Sequence, residues 1–157
     1  MSYAQNTSVS VSKTRGEIDA LLRSHLATAI MTGDRDGQAF IAFEMCDRRF
    51  QFRLELPLLK DYAVHVTPGG REKECSPQQQ FALHEQASRS RWRALFLAIK
   101  SKLVSVEAGI ETMEEAFLAQ IVVPGRRGTF AQWAIPQIQK AYDGFDLPPL
   151  LPAASDR

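Results

Sequence analysis

This chain has few cysteines, almost no net charge and no long hydrophobic run, and each of these features excludes a class of protein. The two cysteines, Cys46 and Cys75, are too few for a disulfide framework and too far apart for the paired thiols of a structural zinc site. The net charge is only +1, so no global field attracts nucleic acid, membranes or acidic substrates. No window approaches the roughly 18 apolar residues that span a bilayer, and the N-terminus lacks the apolar segment of a secretion signal. We therefore expect a protein of the reducing cytoplasm.

Motifs of known catalytic and metal-binding sites are also missing. The chain has no Gly-x-Ser-x-Gly elbow, His-Glu-x-x-His zinc motif, Gly-x-Gly-x-x-Gly loop or kinase signature. His25, His65 and His84 fall in different predicted elements, and neither cysteine has a histidine at ligand spacing. The segment Asp34-Arg35-Asp36-Gly37 begins like a calcium loop, but the later acidic ligands are absent and a hairpin turn is favoured. We therefore expect a protein that is not an enzyme and needs no metal or cofactor.

The composition that remains is that of an ordinary globular protein, with 45% hydrophobic and 24% charged residues. The pattern predicts a single α+β domain over residues 1–157, with a flexible leader at 1–8 and an extended Pro-Leu tail at 146–157. We expect an antiparallel β-meander of three to five strands, packed against a long helix in the C-terminal half and several shorter helices.

Alternating apolar residues predict the meander between residues 29 and 56. In its last strand Gln51 and Arg53 alternate with apolar side chains, so one sheet face is solvated and the other is covered. Phe40, in the middle strand, lies on the solvated face and offers apolar surface outward. One further strand and a mobile loop are predicted within residues 60–76.

Capping boxes, in which a Ser or Thr and a following Glu or Gln satisfy each other's free amides, mark the predicted helix starts. They begin at Thr14, Ser76, Thr112 and Thr129. The second opens a segment without Gly or Pro from Gln78 to Ala108, which predicts one long helix.

Two weaker signals lie at the ends of the chain. Val9 and Val11 alternate with polar residues and predict a short strand before the first helix. Pro136 is expected to kink or shorten the last helix, and Asp143-Gly144 is expected to end it.

The predicted long helix carries basic residues along both edges of its apolar stripe. Between residues 88 and 102 no acid accompanies them; they are Arg89, Arg91, Arg93, Lys100 and Lys102. Basic side chains in such positions commonly lay their methylenes along the packed stripe and extend the charge to water. The alternative is that they contact nucleic-acid phosphates, and the absence of acids favours it.

A second basic patch is predicted on the solvated sheet face. Strand parity places Arg49 and Arg53 there with Phe40, where they are able to touch a nucleic-acid strand. The same parity turns Phe50 and Phe52 toward the core. The candidate nucleic-acid site therefore consists of these three outward residues and the five basic residues of the long helix.

Several segments spread over nearly the whole chain carry a family resemblance. They are Thr7-Ser8-Val9-Ser10-Val11, Phe43-Glu44-Met45, Arg91-Trp92-Arg93-Ala94-Leu95, Ile99-Lys100, Lys102-Leu103, Val106-Glu107-Ala108-Gly109-Ile110, Phe117-Leu118-Ala119, Ile121-Val122-Val123-Pro124 and Pro149-Leu150-Leu151-Pro152. Together they resemble an uncharacterised family of small proteins from tailed bacteriophages and prophages. Cys46-Asp47 stands where that family usually has a glycine turn. The resemblance implies a gene placed among phage recombination and replication functions, and hence a DNA-associated role.

These observations favour a non-enzymatic phage DNA-metabolism protein in the cytoplasm of the bacterial host. It would bind single-stranded DNA or assist a recombinase or replication protein through local basic surface. The alternative is a protein-interaction module, such as an inhibitor or adaptor of a host protein, that uses the outer sheet face or the Pro-Leu tail. The near-neutral net charge favours this alternative over strong DNA binding.

Overall fold

The computed structural model describes residues 4, 6–35, 37–125 and 128–144 and confirms the predicted α+β class. Its elements, in chain order, are α1 (Val11–Ser24), β1 (Thr28–Arg35), β2 (Gln38–Met45), β3 (Arg48–Glu55), a first 3-10 turn (Leu59–Tyr62), β4 (Val64–Val66), β5 (Glu72–Glu74), α2 (Pro77–Glu107), α3 (Met113–Phe117), a second 3-10 turn (Leu118–Gln120) and α4 (Phe130–Gly144). The predicted tail at 146–157 lies outside the described residues, as do parts of the predicted leader.

Strands β1, β2 and β3 form the predicted antiparallel meander in that spatial order. Met45 pairs with Arg48 across the second turn, so only Cys46 and Asp47 connect β2 to β3. Both turn residues have positive φ, 51° and 56°, which is the left-handed conformation that a two-residue hairpin loop requires. The two-residue turn keeps β2 and β3 in register, and the alternation of side chains along each strand gives the sheet two distinct faces.

Helix α2 supplies the largest share of the core. Its 31 residues bury the predicted apolar stripe, and Trp92, Ile99 and Leu103 are each at most 2% exposed. Helix α1 packs along α2 through Ile18 and Leu22, which are almost fully buried. The two helices therefore cover the apolar face of the sheet as one layer.

Aromatic rings fill the space between the sheet and the helices. Phe43 and Phe50 stack at 5.3 Å between ring centroids, and Phe117 of α3 meets Phe50 edge-on at 5.4 Å. Such offset and edge-to-face pairs add to the hydrophobic gain of burial. The inward orientation of Phe50 and Phe52, predicted from strand parity, is confirmed because both are buried.

Two of the predicted capping boxes close completely. The Ser76 hydroxyl accepts from the Gln79 amide at 3.2 Å, and the Gln79 side chain accepts from the Ser76 amide at 3.1 Å. At α3, Thr112 and Glu115 make the same reciprocal pair. Because the Thr112 amide and hydroxyl donate to the Glu115 carboxylate, the pKa of that carboxyl lies below its usual value.

The first helix begins one turn earlier than predicted. Ser10 caps α1 by accepting from the Lys13 amide at 3.2 Å, and the Thr14 amide already donates to the Ser10 carbonyl. The predicted start at Thr14 and the predicted strand through Val9 and Val11 are therefore wrong. Val11 packs against the core from the first helical position, and this packing decides against the strand.

Residues 59–76 differ from the expected single strand and mobile loop. β4 and β5 pair with each other and form a separate two-stranded sheet. A 3-10 turn precedes this hairpin, and the N-terminal half of α2 contacts that turn, as in the hydrogen bond from Gln80 to the Leu59 carbonyl. The described strands thus number five, in two sheets rather than one.

Helix α4 also departs from expectation, because it continues through Pro136 to Gly144 and is not shortened at the proline. At its start only half of the predicted capping box is present, with the Thr129 amide donating to the Gln132 side chain. Of the described side chains in α4, Ala134 alone is buried. No helix in the described part of the chain is both long and apolar enough to cross a membrane.

We expect Ser76→Ala to lower the free energy of unfolding by about 1 kcal/mol, because it removes the cap of the longest helix. Urea denaturation measures the change. The matched control is Ser101→Ala within the same helix, where the hydroxyl bonds only to the Ala98 carbonyl. That control should be neutral or slightly stabilising, since Ala is the better helix former. Equal losses in both variants would contradict a capping role for Ser76.

Candidate nucleic-acid interface

Two of the predicted phosphate contacts of α2 are ion-paired within the protein, Arg93 to α1 and Arg89 within α2 itself. The Arg93 guanidinium pairs with Glu17 of α1 and lies 4.4 Å from the ring centroid of Phe96. Arg89 lies 3.6 Å from the Glu85 carboxylate one turn away. Both arginine side chains are only about a quarter exposed, at 25% and 27%. Their charges are therefore compensated within the fold.

The other three basic residues of α2 point in different directions. Lys102 donates to the Ala116 carbonyl of α3 and lies 5.6 Å from the Phe117 ring centroid. Arg91 and Lys100 are exposed and have no ion pair among the described residues. Nine residues separate them, which places them on opposite sides of the helix at about 100° per residue. The five residues predicted as one phosphate-binding set are thus not brought together.

Phe40 and Arg53, in contrast, are direct neighbours on the sheet. They are register partners across β2 and β3, on the face that points away from the helices. We call this face the outer sheet face; its residues are Met31, Gly33, Arg35, Gln38, Phe40, Ala42, Glu44, Arg49, Gln51, Arg53 and Glu55. Arg49, the third predicted member, is also on this face, but its Nη2 lies 2.6 Å from the Glu44 carboxylate, its register partner.

A groove of about 760 Å³ runs over one end of the outer sheet face. Phe40 and Arg53 line it together with Arg35, Gln51 and Gln132 of α4. Arg53 is exposed and has no acidic partner in the part of the chain that the structure describes. The groove therefore combines an aromatic ring, a cation without an ion pair and neutral amides that can donate and accept hydrogen bonds.

Sequence reasoning missed three of these groove residues. Arg35 follows from the hairpin, because it is the register partner of Gln38 and shares the face of Phe40. The sequence predicts Gln51 on the solvated face but does not indicate that it lines a groove. Gln132 lies on another element, and no local pattern indicates that α4 reaches this groove.

The ring of Phe40 depends on the glycine beside it. Gly33 pairs with Phe40 across β1 and β2, and a Cβ at Gly33 would lie only 2.5 Å from a ring carbon of Phe40. The ring therefore occupies the space that any other residue at position 33 would fill. This close approach leaves Phe40 half-buried, with one side of its ring against the sheet.

A second and larger groove, about 870 Å³, lies at the turn end of the same sheet. Its two arginines are occupied: Arg49 by Glu44, and Arg48 by Glu114 at 3.9 Å. Since those cations are already paired, this groove is the weaker candidate for an anionic ligand. The smaller groove on the outer sheet face is the better candidate.

The histidines have local partners. His25 contacts Glu107 at 2.8 Å and His84 contacts the Pro57 carbonyl at 3.0 Å. Within the described ranges, no three His, Cys, Asp or Glu side chains are grouped to hold a metal ion. His65 differs, because its ring contacts the thiol of Cys75. The sequence gives no indication of this contact, because His65 and Cys75 lie ten positions apart and no motif joins them.

No protein-family model matches the chain, and neither a curated protein nor a solved structure matches it at a significant level. The resemblance to small phage proteins therefore stays a prediction, and the geometry of the groove is the basis for any functional proposal.

We expect Gly33→Ala to destabilise the protein by about 1–3 kcal/mol, because the added methyl group overlaps the Phe40 ring. Urea denaturation provides the measurement. Gly16→Ala in α1 is the matched control, since a Cβ at Gly16 meets no atom within 4 Å. This control should stabilise the helix by about 0.5–1 kcal/mol. Stabilisation by both substitutions would show that the Phe40 ring does not lie over Gly33.

Proposed function

We propose that the protein binds single-stranded DNA in the groove on the outer sheet face. The observation that carries the proposal is the direct pairing of Phe40 with Arg53, with both side chains lining that groove. An aromatic ring on an open sheet stacks with any base, and a neighbouring arginine contacts the adjacent phosphate. A groove of about 760 Å³ is within the usual range of roughly 300–1,000 Å³ for ligand sites.

Charge supports weak rather than tight binding. Among the described residues that line the groove, Arg35 and Arg53 are basic and Glu55 is the one acid, and the whole chain carries a net charge of +1. One phosphate contact, from Arg53, would give a salt dependence with a slope of about −0.7 in log affinity against log salt. The amide of Gln51 and the NH₂ group of Gln132, whose oxygen accepts from the Thr129 amide, add hydrogen bonds that suit several bases, so little sequence preference is expected.

The biological setting of the proposal comes from the phage resemblance. A weak, sequence-tolerant binder of single strands suits a non-enzymatic accessory role beside a recombinase or replication protein. In that setting the protein acts in the cytoplasm of the bacterial host. Of the basic residues of α2, Arg89, Arg93 and Lys102 are then structural, whereas Arg91 and Lys100 are exposed outside the groove.

Fluorescence anisotropy with a labelled oligothymidylate, at low and moderate salt, tests the proposal. Phe40→Ala should weaken binding about tenfold, because loss of one stacked base costs about 1–3 kcal/mol. Arg53→Gln should weaken binding and lower the magnitude of the salt slope by about 0.7.

The matched control is Arg23→Gln, which removes the same charge from α1, where Arg23 pairs with Asp19 away from the groove. It should leave affinity unchanged. Three results oppose the proposal: no salt-sensitive binding at micromolar protein, equal losses in all three variants, or loss only when Arg91 or Lys100 is replaced, which would move the site to α2.

A second candidate function is protein binding through α4. Ile135, Ile138 and Tyr142 share one side of this helix and are 62%, 54% and 60% exposed. An amphipathic helix with an uncovered apolar side is the form in which many partners are recognised, by insertion into a hydrophobic groove. This observation favours the role of an adaptor or inhibitor of a phage or host protein.

Affinity capture from a nuclease-treated bacterial lysate separates the two functions. If α4 binds a protein, wild type should retain that partner after nuclease treatment and Ile138→Ser should lose it, because a polar side chain at the centre of the apolar side opposes burial. Lys140→Ser, on the opposite side of α4, is the control and should retain it. Capture that disappears with nuclease, or that survives in both variants, contradicts binding through α4.

A further inference from the structure

The hairpin of β4 and β5 brings a thiol and an imidazole together outside the groove. The Cys75 Sγ atom lies 3.3 Å from Nδ1 of His65, and both residues are half-buried. The Cys75 amide donates to the Ala63 carbonyl at 2.8 Å and so extends the strand pairing by one step. This pairing fixes Cys75 and His65 as diagonal neighbours on one side of the hairpin.

The position of Cys75 in the chain adds a second influence. Cys75 immediately precedes Ser76, the N-cap of the 31-residue helix α2. The N-terminal end of a helix carries partial positive charge, which favours an anion such as a thiolate. The sulfur therefore contacts a base that can take its proton, and its residue directly precedes the end of α2 whose dipole favours negative charge.

The charged residues of the hairpin are also arranged to favour a thiolate at Cys75. Lys73 pairs directly with His65 across the two strands and so shares its side. Glu72 and Glu74 pair with Val66 and Val64, on the other side of the hairpin. The side that holds the sulfur thus has a cation, while the nearest acids of β5 point away.

We propose that Cys75 is a reactive thiol, activated by His65, that forms mixed disulfides with small disulfide molecules. With His65 in the tautomer protonated at Nε2, Nδ1 takes the thiol proton and the Sγ thiolate attacks one sulfur of the disulfide. The S–S bond breaks as the new bond to Sγ forms. The other half leaves as a thiolate and takes the proton from the imidazolium. Cys75 is oxidised to the mixed disulfide, and the departing half is reduced to a thiol.

Cys46 provides an internal comparison. It lies exposed in the turn between β2 and β3 and has no histidine partner among the described residues. If exposure alone decided reactivity, Cys46 would react faster than the half-buried Cys75. The proposal predicts the opposite order, so the two thiols distinguish activation from simple access.

Stopped-flow absorbance with an aromatic disulfide that releases a coloured thiolate measures both rates. Cys46→Ser leaves only Cys75, and Cys75→Ser leaves only Cys46. We expect Cys75 to react about tenfold faster than Cys46, well within the gain that positioned proton transfer provides. Adding His65→Gln to Cys46→Ser should remove most of that advantage, because the glutamine amide can still bond the thiol but cannot take its proton. Adding His65→Gln to Cys75→Ser should leave the Cys46 rate unchanged.

A second measurement does not depend on the folding of the histidine variant. Wild-type protein is treated with a limiting amount of glutathione disulfide, and peptide mass mapping locates the adduct. The adduct should be on Cys75 in preference to Cys46. A faster Cys46, an adduct mainly on Cys46, or an unchanged Cys75 rate in a folded His65→Gln variant would overturn the proposal.

Discussion

Burial of one side of α2 against the meander is the constraint on which the other features depend. Trp92, Ile99 and Leu103 are nearly inaccessible, and burial of each large apolar side chain contributes about 1.5–3 kcal/mol. Because side chains alternate along a strand, covering Phe43 and Phe50 on the inner side necessarily turns their neighbours outward. The outer sheet face, with its groove, is therefore a direct result of where α2 packs. A shift of one residue in the register of β2 would bury Phe40 and expose Phe43.

The parts of the fold that follow from short-range patterns were predictable. Two-residue turns, strand alternation and the Ser76 cap depend on neighbours within a few positions, so the meander and the start of α2 can be read from the residues. The start of α1 could not be read so well, because Ser10 and Thr14 both fit a capping role. Packing of Val11 against distant core residues decides between them. The hairpin of β4 and β5 was also missed, since β5 is composed of Glu72, Lys73 and Glu74 and has no apolar alternation.

The candidate site was likewise predictable only where it depends on short-range patterns. Strand parity placed Phe40, Arg49 and Arg53 on one face, and the structure confirms that placement. Parity could not reveal that Glu44 forms an ion pair with Arg49. Ion pairing across a sheet depends on side-chain rotamers as well as on strand register. Contacts between elements, such as Arg93 with Glu17, Gln132 with the groove, or His65 with Cys75, join residues whose separation in the chain carries no signal. These contacts become visible only in three dimensions.

The internal use of the α2 cations has a kinetic consequence. Arg89 and Arg93 pair with the carboxylates of Glu85 and Glu17, so little of their charge extends into solvent as a long-range field. Fields of that kind raise association rates by attracting a partner before contact. Without one, encounter relies on diffusion and orientation alone, and association is expected near the unsteered range of about 10⁵–10⁶ per molar per second. Ligands of this protein are thus distinguished by their dissociation rates rather than by their association rates.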